Sequence, residues 1–260
     1  MRLDVYLSTN GLCDSRNIAQ SYIENGKVTI DGVTVKKASY NVSENAVVKV
    51  DKTEFNYVAR SAQKLLTTAD AFMLDFSDKV AVDLGSSTGG FCQVMLESDI
   101  KKIYAVDIGT AQLHAKIRLD DRVVVMENTN ARYISSNDFE TEIDVVTCDL
   151  SFISVKYIFQ STYDILKENG EFICLIKPQF EVGKRFVGKN GVVKDKRAVI
   201  MCINEIIEYA MHIGFSAYDI SFSGLEGESG NREFFIYFKK DSKKLKLDPT
   251  KISNVVSGSK

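Results

Sequence analysis

Along the chain the spacing of apolar residues changes character once. In the first 58 positions Leu3, Tyr6 and Leu7 recur at helical spacing, and Ile18, Ala19, Tyr22 and Ile23 mark the apolar face of a second helix. Ser15 is placed to cap that helix and Asn25-Gly26 to end it, because glycine enters the left-handed cap conformation without a Cβ penalty. Val28-Thr29-Ile30 and Val33-Thr34-Val35 flank Asp31-Gly32, and alternating β-branched residues around such a pair predict a hairpin. Residues 51–59 are polar and read as a linker.

From about Lys79 strand and helix patterns alternate. Strands are expected at 80–84, 102–107, 122–126, 143–149 and 171–177, where the apolar runs are continuous, as in a sheet covered on both faces. Helices are expected near 90–98, 111–119, 154–167 and 196–213. Two further strands, near 216–222 and 233–238, are joined by Gly224–Gly230, too short a link for a crossover helix, so that pair is expected to be antiparallel. The fold class is therefore α/β, a doubly wound, mostly parallel sheet with an antiparallel last strand, behind a small α/β domain. The expected domains are 1–58 and 59–240. Residues 241–260, rich in Lys, Ser and Asp, have the composition of a disordered tail.

Composition sets limits. At 45% hydrophobic and 26% charged, the chain can bury a core. A formal net charge of -2 argues against a uniformly basic nucleic-acid surface, so positive charge must act locally. Residues 239–260 hold seven Lys against Asp241 and Asp248, and residues 181–197 hold six basic residues against Glu181 and Asp195. The five Cys form no C-x-x-C pair and there are only two His, so no metal site is expected and the thiols suit a reducing cytoplasm. Met1-Arg2-Leu3-Asp4 opens no signal peptide, and no apolar run approaches the roughly 18 residues of a membrane span. A cytoplasmic protein without membrane contact is expected.

The strongest motif is Val80-Ala81-Val82-Asp83-Leu84-Gly85-Ser86-Ser87-Thr88-Gly89-Gly90-Phe91, in which a buried strand runs into a Gly-rich turn and a helix. A dinucleotide fingerprint needs glycine where Ser87 stands, for close approach of the pyrophosphate, so that fingerprint fails. S-adenosylmethionine has no pyrophosphate and fits. On this reading Gly85, Ser86, Ser87, Thr88, Gly89 and Phe91 form its cradle, and Asp83 lies near its positive groups. A purely structural βα turn is the competing reading. Asp107 ends the next strand, where an acidic residue accepts ribose hydroxyls, and this suits either cofactor. Asn128 and Asn130 follow the third strand and are candidates for the adenine edge, although asparagine suits any loop.

At the fourth strand end stands Cys148-Asp149-Leu150-Ser151-Phe152. Many methyltransferases that modify amino groups carry Pro-Pro-aromatic after the acidic or amide residue there. Both prolines are missing, as is the Pro-Cys pair of carbon methylation, so the pattern favours a hydroxyl target. Lys177 follows the apolar run Phe172–Ile176, a position that favours a lysine facing a site over one snorkelling to the surface. A lysine acts as base to a hydroxyl only where burial or positive charge favours its neutral form. Lys64 is a second candidate, and Glu233, opening the last strand, is placed to orient the lysines.

These residues carry a resemblance. Residues 1–58 resemble an S4 RNA-binding domain through Arg2-Leu3-Asp4, Gly11-Leu12, Ser15-Arg16, Ile23, Gly26, Val28 and Asp31-Gly32. Residues 57–239 resemble the FtsJ-type RNA 2′-O-methyltransferases. With Asp149-Leu150-Ser151-Phe152-Ile153-Ser154, Lys177-Pro178-Gln179-Phe180-Glu181 and Gly230-Asn231-Arg232-Glu233-Phe234-Phe235, the chain is similar to the TlyA family of ribosomal RNA cytidine-2′-O-methyltransferases, often labelled haemolysins. The resemblance implies a Rossmann-like methyltransferase sheet, S-adenosylmethionine as cofactor, ribosomal RNA or ribosomal subunits as partner, and a catalytic set of Lys64, Asp149, Lys177 and Glu233. It also implies that Lys177 activates the hydroxyl, that Asp149 keeps the Lys177 amine oriented, and that Lys64 and Glu233 hold the ribose. One departure is Ser61-Ala62, where the family usually has two glycines before the first lysine.

Lys184, Arg185 and Lys189 lie in a Gly-containing loop expected to contact RNA phosphates, and Arg2, Arg16, Lys27 and Lys36 are the candidates in the first domain. Two other functions compete with a methyltransferase: a non-catalytic RNA-binding or ribosome-assembly factor, distinguished by absent cofactor binding, and a haemolysin, distinguished by liposome leakage.

Overall fold

The computed structural model describes residues 1–13, 16–24, 26–43, 45–51, 57–227 and 230–258, without the side chains at 17, 18, 21 and 24. The proposed cap Ser15, the stop Asn25, the apolar contact of Ile18, linker positions 52–56 and Lys260 lie outside the described residues. The chain divides into two compact units, Met1–Arg60 and Ser61–Lys260.

In the first unit, helices α1 (Leu3–Thr9) and α2 (Arg16–Glu24) accompany strands β1 (Val28–Ile30), β2 (Val33–Thr34) and β3 (Val48–Val50). Leu3, Leu7, Ala19, Ile23 and Val28 are fully buried in its small core. The hairpin turns on Asp31 and Gly32, at φ 51° and 82°, as two left-handed central residues require. β3 adds to the far side of β1, antiparallel, giving the order β2-β1-β3. Asp4 is fully buried and accepts bonds from Arg2, Arg16 and Gln20 at 2.9–3.0 Å. The Arg2 guanidinium holds the Asp4 carboxyl far below its ordinary range. Both arginine side chains stay about half exposed, so each serves this internal carboxylate and still presents charge outward.

The second unit holds helices α3 (Ser61–Phe72), α4 (Gly90–Leu96), α5 (Ala115–Arg118), α6 (Phe159–Ile165), α7 (Pro178–Glu181), α8 (Lys196–Ile213) and α9 (Pro249–Ser257). Its strands are β4 (Val80–Leu84), β5 (Lys102–Val106), β6 (Val123–Met126), β7 (Ile143–Cys148), β8 (Leu166–Ile176), β9 (Phe215–Glu226) and β10 (Arg232–Lys240). They form one sheet in the order β6-β5-β4-β7-β8-β10-β9. β4 to β8 run parallel, and β10 is antiparallel to both neighbours. β4 and β7 are adjacent although the chain visits β5 and β6 between them, so strand order reverses there and ligands enter at the carboxyl ends.

Several stretches depart from expectation, among them residues 166–170, which belong to β8 so that α6 ends at Ile165 and not at 167. Helix α5 is shorter than 111–119 because Ala111 takes φ 54°, outside the helical range, and the extended His114 caps α5 by accepting the Lys116 N–H. The tail is not unstructured: Asp248 caps α9, Pro249 occupies its first turn, and Ile252 and Val256 are buried in the main core. The helix was obscured by its surrounding lysines, whereas its two apolar positions, four apart, share one face.

Candidate active site at the carboxyl edge of the sheet

Three strands end in carboxylates at the reversal point. Asp83 lies within β4, Asp107 follows β5 and Asp149 follows β7. Asp83 does not open to a ligand. It is 1% exposed, its Oδ1 accepts from Thr147 Oγ1 at 2.8 Å, and its Oδ2 accepts from Cys92 Sγ at 3.2 Å. Burial raises its pKa to about 7, with Asp149 and Asp107 adding to the rise. Its partners are the sheet and helix side chains of Thr147 and Cys92, not the loop.

The turn after β4 is shaped by its neighbours as much as by any ligand. Gly85 has φ 80°, and a Cβ there would meet the Asp149 carbonyl oxygen at 2.7 Å, so glycine lets the loop pass tightly over β7. At Gly89 a Cβ would strike Leu113 at 2.9 Å, and Phe91 is 2% exposed in core contact with Phe235. Those two, expected in the cofactor cradle, are packing residues. Ser86 is buried, and Ser87, at φ 46°, donates its N–H to Asp107 Oδ2 at 2.8 Å. Gly109 N–H meets Asp107 Oδ1 at 2.7 Å. Two backbone donors thus aim the Asp107 carboxylate, and each oxygen keeps a lone pair for a hydroxyl. Thr88 sits at the loop's partly exposed end, tied by its carbonyl to the His114 N–H. Asn128 takes φ 55° and Asn130 caps the next turn by accepting the Arg132 N–H at Oδ1.

Beyond β7 the proposed catalytic residues form two ion pairs. Lys177 Nζ lies 2.5 Å from Asp149 Oδ1, an ionic contact without hydrogen-bond alignment, and donates to Ser151 Oγ at 2.8 Å. Lys64 Nζ donates to Glu233 Oε2 at 2.6 Å, with both side chains under 10% exposed. Topology explains the convergence. β10 pairs β8 with Phe234 opposite Ile176, so Glu233 and Lys177 leave the ladder together. Gln179, two residues after Lys177, donates from Nε2 to Glu233 Oε1 at 3.4 Å. Ser61-Ala62 does not displace Lys64: Ala62 is fully buried in α3 and Lys64 still reaches Glu233.

Several supporting residues were not legible in the sequence. A Cβ at Gly227 would come 2.4 Å from Glu233 Oε1, so the carboxylate rests against bare backbone. Asn231, 1% exposed, donates to the Gly191 carbonyl at 2.9 Å and accepts from Val193 N–H at 2.8 Å, pinning the 181–197 loop beside Glu233. Glu181 accepts from Ser154 Oγ and Val155 N–H, joining α7 to the segment after β7, and burial raises its pKa. Ser154, Glu181 and Asn231 stand in the motifs that carry the resemblance, but nothing local assigned them these contacts.

Lys184, Arg185 and Lys189 are exposed, with the Arg185 guanidinium over the Phe186 ring at 4.7 Å. In the first unit Lys27 pairs with Asp51 at 3.6 Å, and Lys36 covers Gly26.

Comparison with known proteins agrees with this geometry. The FtsJ-like methyltransferase family matches residues 57–240 and the S4 domain family matches residues 1–48. A relative from Mycobacterium tuberculosis, named 16S/23S rRNA (cytidine-2′-O)-methyltransferase TlyA, is 36% identical over 92% of this chain and 89% of its own. A 23S rRNA (cytidine-2′-O)-methyltransferase TlyA from Campylobacter jejuni is 34% identical over 93% of this chain and all of its own. A solved Streptococcus thermophilus structure bearing the name hemolysin superposes with a TM-score of 0.80 at 34% identity, covering 99% of this chain and 94% of its own. With both domains matched and relatives aligned over nine-tenths of its length, the chain belongs to the TlyA family, in which an S4 domain precedes an FtsJ-like methyltransferase.

Proposed function

We propose that the protein transfers a methyl group from S-adenosylmethionine to the 2′-hydroxyl of a cytidine in ribosomal RNA. The observation that carries this reading is Lys177, held by Asp149 and Ser151 at the edge where β4, β5 and β7 end. The donor set fits the cofactor: Asp107 keeps lone pairs for a ribose diol, and the carboxylates at Asp107 and Asp149 suit a sulfonium and an ammonium better than a pyrophosphate. Bound there, S-adenosylmethionine supplies an electrophilic methyl group.

The chain's own residues then do the positioning. A cofactor's positive charge beside Lys177 would favour its neutral amine, and in that form Lys177 Nζ takes the proton of the attacking hydroxyl, while Asp149 and Ser151 hold the amine in place. Lys64, with two ammonium hydrogens left after its bond to Glu233, holds the ribose. The first unit and the exposed Lys184, Arg185 and Lys189 contact phosphates of the ribosomal RNA. In this reading the enzyme works on ribosomal subunits in the cytoplasm. Among the described residues no helix is long and apolar enough to cross a membrane, and no cluster of His, Cys, Asp or Glu suits a metal.

The test mixes protein, methyl-labelled S-adenosylmethionine and unmodified ribosomal RNA or subunits, and maps the labelled nucleotides. Label on a cytidine ribose is expected. Label on bases, or on no RNA, overturns the reading, and absent cofactor binding by calorimetry would favour a non-catalytic assembly factor.

A further inference from the structure

The catalytic cluster contains one acceptor that nothing meets. Gln179 Oε1 is buried and has no hydrogen-bond partner among the described residues. Its orientation follows from its other end, since Nε2 donates to Glu233 Oε1 at 3.4 Å. Turning the carboxamide over would set its oxygen against the Glu233 carboxylate, so the group is held as an acceptor. A buried carbonyl without a donor is costly, and such groups are few in folded proteins.

The same residue lines a cavity of about 410 Å³ together with Phe180, Gly183, Lys184 and Val187. A ring, an aliphatic side chain and the stem of a lysine suit the flat apolar face of a nucleobase. The Phe180 ring is steadied by Phe152, with centroids 5.2 Å apart. The cavity starts two residues beyond Lys177, which the proposed function places at the target ribose, and Gln179 is the residue that the cavity and the Glu233 cluster share.

We propose that Gln179 reads the target base, with Oε1 accepting a hydrogen bond from the exocyclic amine of cytosine. Uracil presents a carbonyl at that position and would face the Gln179 oxygen with a second acceptor. Selection then comes from leaving two oxygens opposed as well as from the bond gained. This inference rests on the methyltransferase reading and names its base specificity.

The experiment uses a ribosomal RNA transcript carrying, at the mapped nucleotide, cytidine, uridine or the pyrimidin-2-one ribonucleotide, which is cytidine without its amino group. Initial rates give kcat/KM for the unaltered protein, Gln179→Ala and Gln179→Met, the last keeping side-chain volume without an acceptor. The unaltered protein is expected to favour cytidine over both analogues by roughly tenfold or more. Both variants are expected to treat cytidine and pyrimidin-2-one within about twofold, with calorimetric cofactor affinity unchanged. Equal use of cytidine and pyrimidin-2-one by the unaltered protein, or a full cytidine preference in Gln179→Met, overturns the inference. Such results leave ribose methylation standing, whereas no ribose label on any transcript removes both.

Discussion

Lys64 and Glu233, 169 positions apart in the chain, meet in a buried ion pair with Nζ 2.6 Å from Oε2. The pair ties the first helix of the second unit to its last strand, at the edge where the chemistry is proposed. Each charge lies where water cannot replace its partner, so removal of one strands the other. Lys64→Ala and Glu233→Ala are each expected to lower stability by about 3–5 kcal/mol in urea unfolding, and the double substitution by clearly less than their sum. Additive losses would mean that the pair does not act as a unit.

Lys177 differs from Lys64 in being held by both a carboxylate and a hydroxyl. If Nζ takes the hydroxyl proton, Lys177→Arg keeps the positive charge near Asp149 yet cannot deprotonate. Both Lys177→Ala and Lys177→Arg are then expected to cut single-turnover methyl transfer at least a hundredfold, with cofactor affinity within a few fold by calorimetry. An arginine variant of near-normal rate would show that Lys177 acts as a fixed charge and not as a base.

Much of this site was legible because strand ends are punctuated. Asp107, Asp149 and Lys177 each follow a buried strand, and the residue just past such a strand's carboxyl end lies on the ligand side. Helix α8 was readable to the residue, because Asp195 caps it and Gly214 follows it. Less legible was whatever depends on contacts distant in sequence. Nothing local distinguishes Phe91, a packing residue against Phe235, from a cradle residue. Nothing near Gly227 announces Glu233, and no glycine marks the left-handed Ala111 that shortens α5. Asp83 shows the limit in another way, since the sequence places its carboxylate at the loop, and only the side chains of Thr147 and Cys92 show it turned inward.

That inward turn has a pH signature. The pKa of Asp83 rises from an ordinary 3.8 to about 7 because burial disfavours its charged form. Between those values the folded protein binds more protons than the unfolded chain, so this group's contribution is fully present below pH 4 and declines as pH rises through 7. Asp83→Asn removes the titration. Stability of the variant relative to the unaltered protein is therefore expected to improve from pH 5 to pH 8, by up to about 1.4 kcal/mol per pH unit at the steepest point. Urea titrations at four pH values would measure it, and parallel stability curves would show that Asp83 is ionised throughout.

The exposed Lys184, Arg185 and Lys189 and the buried Asn231 separate charge from placement on the RNA side. Each lysine or arginine that neutralises a phosphate releases counterions, and for single-stranded RNA the slope of log K against log salt changes by about 0.7 per contact. Replacing all three by alanine is expected to flatten the slope by about 2 in filter-binding titrations. Asn231→Ala leaves every charge in place but frees the Gly191 carbonyl and Val193 N–H that pin the loop. It should weaken binding several-fold with the salt slope nearly unchanged, because the ordering of the loop must then be supplied on binding. A triple variant with an unaltered slope would place the phosphate contacts elsewhere, on the first unit. An Asn231 variant whose slope falls as far as the triple variant's would show that the loop reaches RNA only while pinned.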